Sequence, residues 1–342
     1  MTQLQVCPGT LARGFDTYSP KALRYLFDGA RVSHILPFES PGKEGSSQRI
    51  FFENRSKISI SGVQIKFSLK RAKNMLELTE KGGEYILKPI PDNLKNVSQV
   101  PANEHLTMQI ADQIFNIKTA KSALIFFEDG IPAYITKRFD VKSDGSRCLK
   151  EDFASLAQLS EENGGSNYKY NFSYLRMAGI IDQYFQAAIP AKEQFFRLII
   201  FNYLFSNGDA HLKNFARLDC EGNGYGMLAP AYDLINTRLH IDDGDFALTN
   251  HLYDGDYEHP SYATLGYHAF DDFYTFGLKM QLMPIRVKKM LNGFLVNTDK
   301  VEEMVANSFL NDKMKWQYIY WYHDKLRRLN VSVSGLLKHD DR

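Results

Sequence analysis

In Asn207-Gly208-Asp209-Ala210-His211-Leu212-Lys213-Asn214 an aspartate stands five positions ahead of an asparagine. A second aspartate follows in Ala229-Pro230-Ala231-Tyr232-Asp233-Leu234, after a glycine-rich excursion, Glu221-Gly222-Asn223-Gly224-Tyr225-Gly226, that reads as a hairpin turn. Phosphoryl transfer needs this arrangement: one Asp accepts the proton of an attacking hydroxyl, and an Asn oxygen and a further Asp ligate magnesium beside it. An isolated D-x-x-x-x-N is a capped loop more often than a site, so the weight lies on what stands upstream.

Upstream, residues 1–55 mix short helical signals with Gly/Pro/Ser-rich loop, and Ser19-Pro20 opens a helix. Ile58 to Leu69 alternates apolar and polar residues around Gly62 and reads as two strands meeting at a turn. Glu84-Tyr85-Ile86-Leu87-Lys88-Pro89 is a short strand closed by proline, and Asn103-Glu104-His105 opens a helix reaching Phe115. Ala123 to Phe127 and Ala133 to Phe139 are strands joined by Glu128-Asp129-Gly130. After Asp140 the texture changes to helical spacing at Phe153–Leu159, Tyr174–Ala188 and Ala191–Phe205, and again at Ile285–Phe294, Val301–Phe309 and Trp316–Leu329. A sheet-rich start followed by a helix-rich remainder predicts an α+β class and a bilobal, protein-kinase-like fold, with an N-terminal lobe over 1–138 and a helical lobe over 139–342.

Composition narrows the setting. With 342 residues and 44% hydrophobic content the chain can build two real cores. Lys+Arg 41 against Asp+Glu 40 gives no general pull toward nucleic acid or anionic membrane. The three cysteines, Cys7, Cys148 and Cys220, lie far apart without a C-x-x-C, so neither disulfide nor zinc site is expected, and a reducing cytoplasm fits. The first residues lack a basic stretch followed by an apolar core, and no apolar run is long enough to span a bilayer; no export signal and no membrane contact are expected.

A kinase cleft also needs a cation on a small-lobe strand to hold nucleotide phosphates and a carboxylate on a helix to orient it; Lys88 and Glu104 stand in order for these roles. Taken singly, the first is an ordinary strand-end lysine and the second a helix-dipole charge. His211 is expected to face the same pocket as Asp209, with a role near the γ-phosphate. A metal hydrolase using Asp209, His211, Asn214 and Asp233 is the rival, but it lacks paired histidines. Trp316 to His323 reads as core packing of a terminal helix, and Asp242-Asp243-Gly244-Asp245 as solvated loop.

These motifs together resemble the HipA family of serine/threonine kinases, toxins of HipBA-type toxin–antitoxin pairs. The matching pieces are Ser59 to Lys66, Tyr85 to Pro89, Asn103 to His105, Lys137 to Asp140, Asn207 to Phe215 and Leu228 to Asp233. The resemblance implies Asp209 as proton acceptor, Asn214 and Asp233 as magnesium ligands and Lys88 on the phosphates of ATP. It also implies Ser61, Gly62, Val63, Gln64, Ile65 and Lys66 as a loop over those phosphates, and Lys137, Arg138 and Phe139 as the adenine-binding hinge. His211, Lys213 and Tyr232 complete the implied nucleotide contacts, and Ser59 matches an autophosphorylated serine, with Ser61 beside it as in the short HipT branch. The hinge departs from many relatives in having Lys137 in place of Glu. The serine loop begins closer to the N-terminus than in full-length HipA proteins, which implies that a separate small protein supplies the missing subdomain. The implied partners are a helix-turn-helix antitoxin, DNA only through that antitoxin, and an aminoacyl-tRNA synthetase as substrate. Alternatives are a small-molecule phosphotransferase of the aminoglycoside or choline type, which shares D-x-H-x-x-N but not the serine loop, and a silent pseudokinase or repressor subunit.

Overall fold

Serine before proline starts the first element: Ser19 caps α1 (Pro20–Phe27), its hydroxyl accepting from the Ala22 amide, and proline sits where no amide is needed. The structure, a computed structural model, describes residues 4–41, 65–92, 94–255 and 257–337. Five antiparallel strands follow: β1 (Phe67–Ala72), β2 (Met75–Leu78), β3 (Tyr85–Lys88), β4 (Ser122–Phe126) and β5 (Pro132–Lys137), in the spatial order β2-β1-β3-β5-β4. Side chains alternate between faces, so Ala123, Ile125, Ala133 and Ile135 join Leu26, Phe27 and Leu87 in one core under the N-terminal segment. Leu124 and Tyr134 point the other way, into the main core.

On that second face lies α2 (Val100–Gln113), buried from Val100 through Ala111 between the sheet and the helical half. It begins three residues before the Asn103 start expected from sequence, because Pro101 fits the first turn. β1 starts at Phe67, and the hairpin expected before it, with its serines and up to Gln64, lies outside the described residues. β2 was not anticipated; it is an edge strand of four residues, too short to set a period.

A second sheet, β6 (Leu149–Asp152), β7 (Ala216–Asp219) and β8 (Met227–Leu228), carries the expected hairpin. The Asp219 carboxylate accepts the amides of Glu221, Gly222 and Gly224 at 3.1, 2.8 and 2.9 Å, and both glycines take positive φ. Only a residue without Cβ does so cheaply. Cys148 and Cys220 are disulfide-bonded, correcting the expectation of no disulfide. Distance along the chain was the wrong measure: β6 and β7 pair antiparallel with Leu149 opposite Asp219, which sets the two cysteines face to face.

The helical half comprises α3 (Phe153–Leu156), α4 (Glu161–Gly164), α5 (Tyr174–Tyr184), α6 (Ala188–Leu204), α7 (Pro260–Leu265), α8 (Phe270–Lys279), α9 (Pro284–Phe294), α10 (Thr298–Ala306) and α11 (Asp312–Leu329). α6 is apolar nearly all round and is buried accordingly. Phe205, just beyond it, stacks on Phe201 (4.4 Å) and Tyr322 (5.1 Å) and meets Phe115 edge-on (5.6 Å), joining α2, α6 and α11. The aromatic end of α11 divides its faces: Tyr318 and Tyr322 are fully buried, whereas Trp316 and Tyr320 are exposed, against the expectation of core packing throughout. The acidic stretch is likewise not simply solvated. Asp245 pairs with Arg238, Lys325 and Arg328, and Asp243 bonds Thr237.

Phe205→Ala should therefore lose about 3–5 kcal/mol of unfolding free energy by cavity formation, read from urea melts. A loss under 1 kcal/mol would mean that this aromatic junction does not hold the halves together.

Candidate active site

Three chain segments meet at Lys88. The strand β3 delivers its ammonium, buried, to Glu104 on α2 at 2.6 Å and to Asp233 beyond the hairpin. Asp233 is brought there by a backbone link: the Ala120 amide bonds Ala231 O and the Ala231 amide bonds Lys118 O, both at 2.8 Å. Burial alone would lower the Lys88 pKa, but the Asp233 and Glu104 carboxylates outweigh it and hold it well above the usual lysine range. Burial would raise Asp233, yet Lys88 and Lys66 keep it far below the ordinary carboxylate range. In Glu104 burial wins over Lys88, and its pKa rises. Asp233 has φ of 57°, a left-handed conformation that Asp tolerates better than most and that clusters at functional sites.

The Asp209 loop leaves α6 through Ser206, also left-handed at φ 52°. Asp209 is half exposed, and its Oδ1 accepts the Tyr170 hydroxyl at 2.8 Å, with His211 Nε2 at 4.0 Å. Burial holds the His211 pKa below the usual histidine range despite the pull of Asp209, so the ring is neutral at pH 7. Its Nδ1 is buried with no hydrogen-bond partner among the described residues. Asn214 Oδ1 accepts the His211 amide at 3.1 Å, closing the short turn Leu212–Asn214.

The expected hinge divides its duties. The Lys137 amide bonds Lys121 O and the Arg138 amide bonds Glu84 O, leaving Phe139 as the hinge amide not spent on these two pairs. The Lys137 ammonium turns to Asp28, and Arg138 grips Asp140 with two nitrogens, at 3.0 and 2.6 Å. The Phe139 ring packs 5.6 Å from Tyr232, whose hydroxyl bonds Lys213 O at 2.7 Å. Lys150 lies over both rings, 4.6 Å from Tyr232 and 5.4 Å from Phe139. Sequence reasoning missed Lys150 and Tyr170. Nothing local marks Lys150, whereas the Tyr168-Lys169-Tyr170 run was an aromatic signal that went unused. Ile65 and Lys66 precede β1, and the Lys66 charge reaches Asp233; Ser59, Ser61, Gly62, Val63 and Gln64 lie outside the described residues.

Among the described residues no group of three or more His, Cys, Asp or Glu side chains could hold a metal ion. The expected pair, Asn214 and Asp233, is an amide oxygen and a carboxylate. Such hard oxygen donors suit magnesium, which completes its shell with water and phosphate oxygens, so the donor set fits.

The HipA-like C-terminal domain family matches residues 58–302. The chain belongs to that family. A Haemophilus influenzae protein named "Putative kinase" is 25% identical over 340 residues, covering 92% of this chain and 93% of its own. "Putative kinase Y4dM" of Sinorhizobium fredii is 31% identical over 213 residues, 58% of this chain and 49% of its own. Among solved structures, the Shewanella oneidensis HipA, determined with HipB and operator DNA, aligns with TM-score 0.62 at 17% identity over 86% of this chain and 73% of that one. The Helicobacter pylori proinflammatory kinase CtkA aligns with TM-score 0.50 at 16% identity over 77% and 93%. The fold of this HipA-like chain is thus the kinase-like one expected from sequence, and Lys88, Glu104, Asp209, Asn214 and Asp233 all lie inside the matched span.

Breaking the buried pair tests its electrostatics. Lys88→Met leaves Glu104 and Asp233 without their shared cation and should cost about 3–5 kcal/mol at pH 8. Both carboxyls then rise in pKa, so the folded state binds more protons and stability falls as pH rises. Urea melts should recover a large part of the loss at pH 5; an equal loss at both pH values would deny the charge interaction.

Proposed function

We propose that this chain is a Mg-ATP-dependent serine/threonine protein kinase, the toxin of a HipBA-like pair. The observation that carries this is the buried Lys88–Glu104 pair bridged to Asp233, since phosphoryl transfer calls for a strand lysine, a helix glutamate and a metal-binding aspartate at one point. The lobes divide at 138/139 and the nucleotide enters between them. Glu104 holds Lys88 extended, and Lys88 exchanges its contact with Asp233 for the nucleotide phosphates. The rings of Phe139 and Tyr232 offer an apolar wall for the base, with the hinge backbone beside it. Asp209, oriented by the Tyr170 hydroxyl, takes the proton of the acceptor hydroxyl. Neutral His211, whose Nδ1 has no partner among the described residues, hydrogen-bonds near the γ-phosphate. Asn214 and Asp233 would hold magnesium, which when bound neutralises charge on the transferred group.

The Shewanella oneidensis neighbour was determined with HipB and operator DNA. By that likeness the proposed partner is a HipB-like antitoxin, of the helix-turn-helix kind that the family resemblance implies, with DNA reached only through it. The proposed substrate is a translation component such as an aminoacyl-tRNA synthetase.

Asp209→Ala should abolish transfer of labelled γ-phosphate to protein while retaining the rise in melting temperature that Mg-ATP confers on the wild type by binding only the folded state. Wild-type rates in Asp209→Ala would sink the assignment, and an unshifted wild-type melting temperature in millimolar Mg-ATP would indicate a pseudokinase.

Ser59 is the proposed autophosphorylation site, with Ser61 an alternate. A phosphoserine in a loop over ATP adds nearly two negative charges and opposes nucleotide, so phosphorylation limits itself. Mass spectrometry after incubation with Mg-ATP should find phosphate there, and Ser59→Glu should weaken ATP binding. Unmodified serines in active enzyme would remove this regulation.

A further inference from the structure

The acidic stretch after Asp233 reaches back to the loop that carries Asp209. Thr237 is the junction: its amide and hydroxyl both bond Ser206 O, at 3.0 and 2.9 Å, and its Oγ1 accepts the Gly208 amide at 2.8 Å. Asp243 Oδ2 closes on the same hydroxyl, and its Oδ1 is buried with no partner among the described residues. A Cβ on Gly208 would collide with that carboxylate, so the glycine before Asp209 is required by its contact with Asp243. Ser206, held on its carbonyl by Thr237, is left-handed, a strained turn that persists only when its surroundings fix it.

The hydrogen inventory makes this junction depend on the protonation of Asp243. Thr237 has a single hydroxyl proton. Ser206 O already accepts the Thr237 amide, so two arrangements are open: an ionised Asp243 takes the hydroxyl proton for itself, or a protonated Asp243 donates to Thr237 Oγ1 and leaves that proton on Ser206 O as a second bond. We propose that Asp243, acting through Thr237, is a positioning residue for Asp209, and that it does so as a neutral carboxylic acid donating to Thr237 Oγ1. This rests on the kinase reading above for the role of Asp209 but not for the clamp itself. Burial pushes the Asp243 carboxyl up to about 6, against the pull of Thr237 and Arg238, and Asp209 adds to the rise. The charged groups around it are Arg238, Asp209 and its chain neighbours Asp242 and Asp245; Lys325 and Arg328 of α11 are spent on Asp245.

A carboxyl with a raised folded-state pKa stabilises below that value, and its contribution is lost as pH rises through it. Amide exchange at Gly208, corrected for intrinsic rate, should therefore be protected at pH 5.5 and on the order of tenfold less so at pH 8. Asp243→Ala and Thr237→Val should lose this protection at both pH values, and kcat should fall with KM for ATP unchanged, since the Lys88 site is untouched. Asp243→Asn, whose amide can donate to Thr237, should rescue both protection and kcat and flatten their pH dependence. Wild-type exchange in Asp243→Ala, or Asp243→Asn behaving like Asp243→Ala, would overturn the proposal. If the exchange pattern holds but no variant or wild type transfers phosphate, the clamp stands and only the assigned reaction falls.

Discussion

Lys88 is a charge that the fold could not bury without Glu104 and Asp233. An unpaired ammonium in that position carries a desolvation penalty of several kcal/mol, and its two partners come from different parts of the chain, α2 and the segment after the second-sheet hairpin. The ion pair therefore works as a registration device. It requires α2 to lie under β3, and it requires the Ala231 backbone to dock beside Lys118 and Ala120. Hydrophobic burial holds the two halves together, through Phe205 and the aromatic contacts around it, but apolar contact is tolerant of small slips. The charges are not, and they fix where Asp233 stands.

The same reasoning explains what could be read in the sequence. Lys88, Glu104, Asp209 and Asp233 were legible because each sits in a local pattern: strand before proline, helix start, loop of fixed spacing, post-hairpin segment. The kinase-like outline followed from two periodicities, two and then three-to-four. What escaped depends on pairing between distant segments. The disulfide follows from the β6–β7 register, which nothing near Cys148 or Cys220 announces. Lys150 comes to the Phe139 and Tyr232 rings by the same register. Asp243 and Asp245 looked like solvated charges because composition reports polarity and not partners, and their partners lie on the turn at Thr237–Leu239 and on α11.

Two non-glycine residues with left-handed backbone, Ser206 and Asp233, bracket the candidate site. Each costs free energy of order 1–3 kcal/mol, and each is held by neighbours belonging to the other's segment. Ser206 O is bonded by Thr237, four residues past Asp233, while Asn207, one past Ser206, reaches the Asp233 carbonyl at 3.5 Å. The two turns are thus bonded to one another's segments. Ser206 and Asp233 themselves lie outside helix and strand, and Thr237 opens the short 3-10 helix Thr237–Leu239. Lys88 completes the loop from the opposite half: its contact with Asp233 ties the strained pair to β3 and α2. The chemistry proposed for Asp209 and Asp233 thus stands on a circuit of contacts in which Thr237 and Asn207 only position, while Lys88 both positions Asp233 and, on this reading, holds the nucleotide.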